Sequence, residues 1–265
     1  MNAQKKIFVW QTDRRMQAAA GALAEMGWQV TGQARAGESP VWLLPMPLVP
    51  AQPGLGPLLE MARPGTLVLA GRIHPQVYAL PGADRVAWAD YYKSPALIEK
   101  NAIPTAEGCI RLLLCHSTRT LWHEPVLVLG FGRVGQALAV RLAALGAQVT
   151  AAARSPVQQA KAQSLGCRVA ALSVLDRPAP WRVVVNTIPA PVLGESRLKN
   201  LPAGSLLIDL ASRPGGTDFT AARRMGHTAL HALALPGRCA PDTAGRFVAE
   251  TVQQLVEERS STPCI

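Results

Sequence analysis

The stretch Val126-Leu127-Val128-Leu129-Gly130-Phe131-Gly132-Arg133-Val134-Gly135 decides the fold. Four apolar residues of the kind that make a fully buried strand run directly into Gly-x-Gly-x-x-Gly, and Val134 to Leu145 continue with a helical pattern. A short glycine pattern alone is a weak signal in a glycine-rich chain. Placed between a buried strand and a helix it is a strong one. There the glycines permit a tight turn, backbone approach to a pyrophosphate and close packing of helix on strand. The first amides of the helix then hold the phosphates. Gly130, Phe131, Gly132, Arg133, Val134 and Gly135 are therefore read as a dinucleotide phosphate loop. The plain alternative is a tight strand-to-helix turn without a ligand.

Working outward, the next strand ends Ala152-Ala153-Arg154-Ser155. Binders of NAD usually carry an acid about 20 residues beyond the loop, on the ribose 2′-hydroxyl. Here an arginine takes its place, and guanidinium matches phosphate geometry, which favours NADP. Ala153, Arg154 and Ser155 are assigned to the cofactor. Ser155, Pro156 and Gln158 also read as a capping box at a helix start, and an exposed arginine with no ligand is the bland reading of Arg154. The run Asn186-Thr187-Ile188-Pro189 falls where a fourth strand meets the ligand crevice, so these four are placed in the nicotinamide pocket as binding groups.

The strand Leu206-Leu207-Ile208-Asp209-Leu210 empties into the glycine-rich turn Ala211-Ser212-Arg213-Pro214-Gly215-Gly216-Thr217-Asp218. Leu210 and Ala211 are assigned to the cofactor, and Ser212 and Arg213 to catalysis. A guanidinium fork there suits two-point binding of a carboxylate, so Arg213 is also the principal substrate ligand, with Gly216 beside it. A salt bridge across the turn is the alternative. Asp242-Thr243 opens the last helix; Thr243 is taken as substrate-binding, with N-capping as the bland role of either residue. Thr105 and Glu107 complete the substrate set, though an acid in a first helical turn also complements the helix dipole. His116 lies roughly 18 Å along the same helix from Pro104 and is treated as structural, like His123.

Strands alternate with helices throughout, which specifies parallel sheets with crossover helices. Strands are expected near 6–10, 28–32, 41–45, 66–70 and 85–88, with a helix over Asp13 to Met26 and weakly bounded elements in the Pro- and Gly-rich 34–57. The second half reads as a helix from Pro104 to Leu121, strand 126–129, helix 133–146, strand 147–152, helix 156–165, strands 167–170 and 182–187, helix 193–199, strand 205–210, helix 217–225, strand 228–232 and helix 242–258. The expected architecture is α/β: two Rossmann-like doubly wound parallel-sheet domains with an inter-domain cleft. The expected divisions are 1–103, a connecting helix 104–124, an NADP-binding domain 125–240, and 241–265 packing back on the first domain.

At 265 residues and 49% hydrophobic composition the chain can bury two cores. No apolar run approaches the ~20 residues of a membrane helix. The N-terminus lacks a signal-peptide pattern, which points to the cytoplasm. The net charge of +10 is dispersed, without a nucleic-acid motif, and suits attraction of a small anion. Five scattered cysteines form no metal-ligand spacing, and no metal is expected.

Asn101-Ala102-Ile103-Pro104-Thr105-Ala106-Glu107-Gly108, the loop 130–135, Ala153-Arg154-Ser155, Asn186 to Pro189 and Asp209 to Phe219 together resemble the A subunits of dipicolinate synthase, over about residues 89–258. The resemblance implies an NADP-dependent oxidoreductase of sporulation, acting in the mother cell of a spore-forming bacterium. It would convert hydroxylated tetrahydrodipicolinate, a small dicarboxylate, to dipicolinate together with a B subunit that is flavoprotein-like. The expected assembly is a homo-oligomer.

Two other readings remain. A D-2-hydroxyacid dehydrogenase shares the plan and an arginine after the fifth strand, but that family uses histidine as acid/base where Asp242 stands. A non-catalytic, NADP-binding regulator of the partner is the other.

Overall fold

Odd and even residues of the strands face opposite ways, and most on both faces are apolar, as a sheet covered on both faces requires. In the computed structural model, which describes residues 5–261, this pattern builds two parallel sheets. The chain divides into two units, 1–101 with 240–265, and 102–239.

In the first unit, strands β1 (Lys6–Val9), β2 (Gln29–Thr31), β3 (Val41–Leu43), β4 (Leu67–Ala70) and β5 (Ala87–Asp90) lie in the order β2-β1-β3-β4-β5, all parallel. This is one of the two common doubly wound orders. Ile7, Val9 and Leu43 feed one core, while Phe8, Trp10 and Trp42 feed the other. Helix α1 (Arg14–Glu25) is capped by the Asp13 carboxylate, which accepts from Met16 N at 2.9 Å. The short helix α2 (Leu55–Glu60) buries Leu55, Leu58 and Leu59.

Helix α3 (Pro95–His116) corrects the expected start at Pro104. Pro104 sits inside the helix, where its ring removes one backbone hydrogen bond. The start signal stands nine residues earlier, where Ser94 Oγ accepts from Leu97 N at 3.4 Å and Pro95 takes the first turn. Buried Leu97, Ala102, Ala106, Cys109 and Leu113 hold the helix through the interruption. It also stops at His116, short of Leu121.

In the second unit, β6 (Pro125–Leu129), β7 (Gln148–Ala152), β8 (Arg168–Ala170), β9 (Val183–Asn186), β10 (Leu206–Asp209) and β11 (Thr228–His231) are all parallel, in the order β11-β10-β9-β6-β7-β8. Numbered within the unit this is 6-5-4-1-2-3, the dinucleotide-binding arrangement with its switch point between β6 and β9. Val126, Val128 and Val185 pack on one face, and Leu127, Leu129 and Val184 on the other. Helices α4 (Arg133–Ala144), α5 (Pro156–Ser164), α6 (Glu195–Leu198) and α7 (Phe219–Arg224) make the crossovers, with a 3-10 turn at Leu172–Asp176 between β8 and β9. Helix α8 (Leu235–Cys239) follows β11.

Helix α9 (Pro241–Ser261) returns to the first unit and lies along α1, burying Val248, Ala249 and Val252 in the core that holds Met16, Ala19 and Leu23. It begins at Pro241, and the Ala240 carbonyl accepts from Ala244 N at 3.0 Å, so Asp242 and Thr243 lie within its first turn instead of capping it. Among the described residues no helix is long and apolar enough to cross a membrane, and no cluster of metal-ligating side chains occurs. Cys264 lies outside the described residues.

Candidate functional site

The carboxyl ends of β6, β7, β9 and β10 carry most of the residues singled out by the sequence. At the switch point, Thr187 donates twice to the Leu129 carbonyl, from its amide at 2.9 Å and its hydroxyl at 2.8 Å. This ties the loop after β9 to the loop after β6. Gly130, at φ +85°, donates its amide to Ala152 O at 2.9 Å, linking β7 to the same point. A β-carbon on Gly130 would stand 2.5 Å from Thr187 Oγ1 and 2.8 Å from Ile188 Cγ1.

Gly132 is different. It is exposed, it occupies the N-cap position of α4, and a β-carbon there would meet nothing within 4 Å. Position 132 carries no side-chain cap, and the space beside it lies at the positive end of the dipole of α4. The residues fit a dinucleotide phosphate. Phe131, however, does not offer its ring: the side chain is fully buried in the core, and its carbonyl accepts from Gln136 Nε2 at 2.9 Å.

At the end of β7, Ala153 is buried and Arg154 is exposed, taking part in none of the ion pairs among the described residues. Ser155 stands at the N-cap of α5, with Pro156 following, but makes no side-chain capping hydrogen bond. The expected capping box is therefore absent. Gln159 reaches back instead of Gln158, donating from Nε2 to Ala153 O at 2.7 Å.

Two assignments are corrected by burial. Asn186 is fully buried, its amide nitrogen donates to Ile188 O and to Asp209 Oδ1, each at 3.0 Å, and its oxygen accepts from Ile188 N at 3.0 Å. The whole side chain is committed inside the protein, so Asn186 does not face a cofactor. Gly216 is buried too. Its amide donates to Asp209 Oδ2 at 2.8 Å, and its carbonyl accepts from Val192 N and Leu193 N. It shapes the turn and has no amide left for a substrate.

Sequence reasoning misses the residue that organises this region, Asp209. Its motif is visible, but nothing in the sequence tells that its side chain points inward. Arg213 stands on the turn so held. It is exposed, joined to Pro214 by a cis bond, and forms none of the ion pairs among the described residues, so the salt bridge across the turn does not occur. Ser212 precedes it, half-buried, and its carbonyl accepts from Gly215 N at 2.8 Å. Leu210 donates its amide to Asn186 O at 2.8 Å, and Ala211 O pairs with His231 Nε2 at 2.9 Å.

Thr105 and Glu107 lie in the middle of α3, which removes the first-turn dipole reading of Glu107. Glu107 pairs with Arg141 of α4 at 3.4 Å, an exposed contact worth under about 1 kcal/mol. Thr243, on α9, belongs to the other unit. A cavity of about 870 Å³ lies among Gln148, Thr150, Arg168, Arg177 and Trp181, at the amino ends of β7 and β8 and ahead of β9. Ligands of open α/β sheets bind at the carboxyl ends, so this is not the nucleotide site.

Sheet order, switch point and glycine loop define a dinucleotide-binding domain. Residues 114–216 accordingly match the family model of the D-isomer specific 2-hydroxyacid dehydrogenase, NAD binding domain.

The more particular likeness is to the A subunit of dipicolinate synthase. The protein of that description from Bacillus subtilis (strain 168) is 40% identical over 159 residues, 60% of this chain and 54% of that protein's length. The alignment thus spans about half of that relative. The crystal structure of the dipicolinate synthase A subunit from Bacillus halodurans superposes with a TM-score of 0.85 at 27% identity, covering 99% of this chain and 100% of that one. The corresponding crystal structure from Bacillus subtilis gives 0.83 at 27% identity, covering 98% of each.

Proposed function

We propose that this chain is the NADP-dependent dehydrogenase component of an enzyme that forms dipicolinate. The observation that carries the proposal is Arg213, an exposed guanidinium that joins no ion pair among the described residues, on a turn that follows directly from the nucleotide-binding strands. A fork of N–H donors there suits one carboxylate of a small dicarboxylate. The likeness to the A subunit of dipicolinate synthase supplies the substrate class.

Arg154 and Ser155 hold the 2′-phosphate, and the first-turn amides of α4 hold the pyrophosphate. Loss of water from the hydroxylated tetrahydrodipicolinate gives dihydrodipicolinate. Bound NADP would accept the hydride that the ring loses on becoming aromatic, with the accompanying proton leaving to solvent. Arg213 orients the ring by its carboxylate, with Ser212 beside it, and holding reactants in place removes much of the entropic barrier. Thr105, Glu107 and Thr243 are assigned to the substrate, and a B-type partner completes the enzyme. Action in the sporulating mother-cell cytoplasm and assembly into a homo-oligomer belong to the same reading.

The experiment combines the purified chain, its B-type partner, NADP and enzymatically generated substrate, and follows the ultraviolet absorbance of dipicolinate. Product formation dependent on this chain is expected. Cofactor binding with no product, in the presence of the partner, would overturn the assignment. Turnover of 2-keto acids with reduced cofactor would favour the 2-hydroxyacid dehydrogenase reading, which the family match supports. Full activity of the assembled Arg213→Ala variant would favour a non-catalytic regulatory role.

A further inference from the structure

Asp209 ends β10 with only 1% of its surface exposed, yet none of the ion pairs among the described residues involves it. A buried carboxylate without a cation is costly unless N–H donors surround it. Three do. Oδ1 accepts from Ala211 N at 2.9 Å and from Asn186 Nδ2 at 3.0 Å, and Oδ2 accepts from Gly216 N at 2.8 Å. Ala211 and Gly216 are the two ends of the turn that carries Arg213. Asn186 ends the neighbouring strand β9, directly opposite Asp209 in register, and its remaining donor and its acceptor fix Ile188.

We infer that Asp209 is a positioning residue: its buried carboxylate, oriented by Asn186, clamps both ends of the Arg213 turn and locks that turn to the loop after β9. The inference rests on the reading of Arg213 as the substrate's carboxylate ligand. Its physical basis is the number of groups served. One carboxylate satisfies the amides of two residues five apart in sequence, and a single amide side chain joins it to the adjacent loop. An apolar residue at 209 would leave the Ala211 and Gly216 amides unpaired. Ring contacts brace the turn from β11, where His231 Nε2 donates to Ala211 O and the imidazole stacks on Phe219 at 5.2 Å between ring centroids. A displacement of about 1 Å at a binding group is enough to cost on the order of a hundredfold in rate.

Asp209→Asn keeps the shape but replaces one acceptor oxygen with an N–H donor facing other donors. The expected result is a fall of roughly tenfold or more in kcat/KM for the dicarboxylate, carried mainly by KM, with a clearly smaller loss of NADP affinity through Ala211 and the loop after β9. Added to Arg213→Ala, the same change should cost nothing further, because its effect passes through Arg213. Independent losses in the double variant, or an equal loss of NADP binding, would overturn the inference. Hydrogen exchange of the Ala211 and Gly216 amides provides a reading that does not depend on turnover. Both should exchange faster in Asp209→Asn, in a protein whose melting remains cooperative. Unchanged protection at 211 and 216 would refute the clamp whatever reaction the enzyme performs. Faster exchange with no dicarboxylate turnover in the unsubstituted assembly would uphold the clamp and reject the proposed reaction instead.

Discussion

Gly135 faces the carbonyl oxygen of Gly130 so closely that a β-carbon at 135 would overlap it, although both belong to one phosphate loop. The contact is what seats α4 against the end of β6. Gly132, between them, meets no protein atom on the side where its β-carbon would stand. The same substitution should therefore have opposite signatures at the two positions. Gly135→Ala is expected to lower stability by at least about 2 kcal/mol, since backbone must move. Gly132→Ala should cost no more than about 1 kcal/mol, the N-cap preference for glycine over alanine, yet weaken nucleotide binding at least tenfold by filling the pyrophosphate's approach. Denaturant melts beside nucleotide titrations check both. A Gly132→Ala protein with normal affinity would place the phosphates elsewhere.

Arg154 and Ser155 carry the proposed discrimination between the two nicotinamide nucleotides. A charge-assisted contact to the 2′-phosphate is worth about 1.5–3 kcal/mol, or roughly tenfold to a hundredfold in affinity. Arg154→Ala should weaken NADP binding by that factor and leave NAD within about twofold. Arg154→Asp should go further and favour NAD, whose 2′-hydroxyl a carboxylate accepts from. Calorimetric titration of both nucleotides against the three proteins tests this, and a parallel fall for the two would show that Arg154 senses only general charge.

How much is legible in the sequence depends on how far each residue's role is local. The second sheet follows from its own signals: long apolar strands, a glycine loop placed between strand and helix, and motifs at strand ends. In the first unit, β2 and β3 are three residues each, and α2 is held by burial of Leu55, Leu58 and Leu59. The two strands are still legible, near 28–32 and 41–45, whereas α2 is made by tertiary packing and no local pattern announces it. Pro104 misleads because a proline at a helix start and one tolerated inside a buried helix look alike, while Ser94-Pro95 carries the true start. Within the site, Arg154 and Arg213 stand out because an exposed cation acts by its charge. Asn186 and Gly216 are misread because their roles depend on which way they face, and both face Asp209.

Burial of two groups with high ordinary pKa values predicts how the fold fails in alkali. Tyr91 is fully buried, and that burial pushes its hydroxyl above the ordinary value of 10.0; the group donates to Leu44 O at 3.3 Å. Cys109 is likewise buried in the second unit, and desolvation holds its thiol above the ordinary 9.0. Both groups stay protonated in the fold at a pH where the unfolded chain releases their protons. Their contribution is therefore fully present below about pH 9 and is lost as pH rises toward the folded values. The loss approaches about 1.4 kcal/mol per pH unit for each group once the unfolded form has ionised. Urea melts taken from neutral pH to about pH 11 should show stability falling first with the thiol and more steeply once the phenol joins. Cys109→Ala should remove the part that begins near pH 9, and Tyr91→Phe the part that begins near pH 10. If the slope of either variant matched that of the parent protein throughout, the corresponding group would be ionising equally in the folded and unfolded chain, and burial would not be what keeps its proton in place.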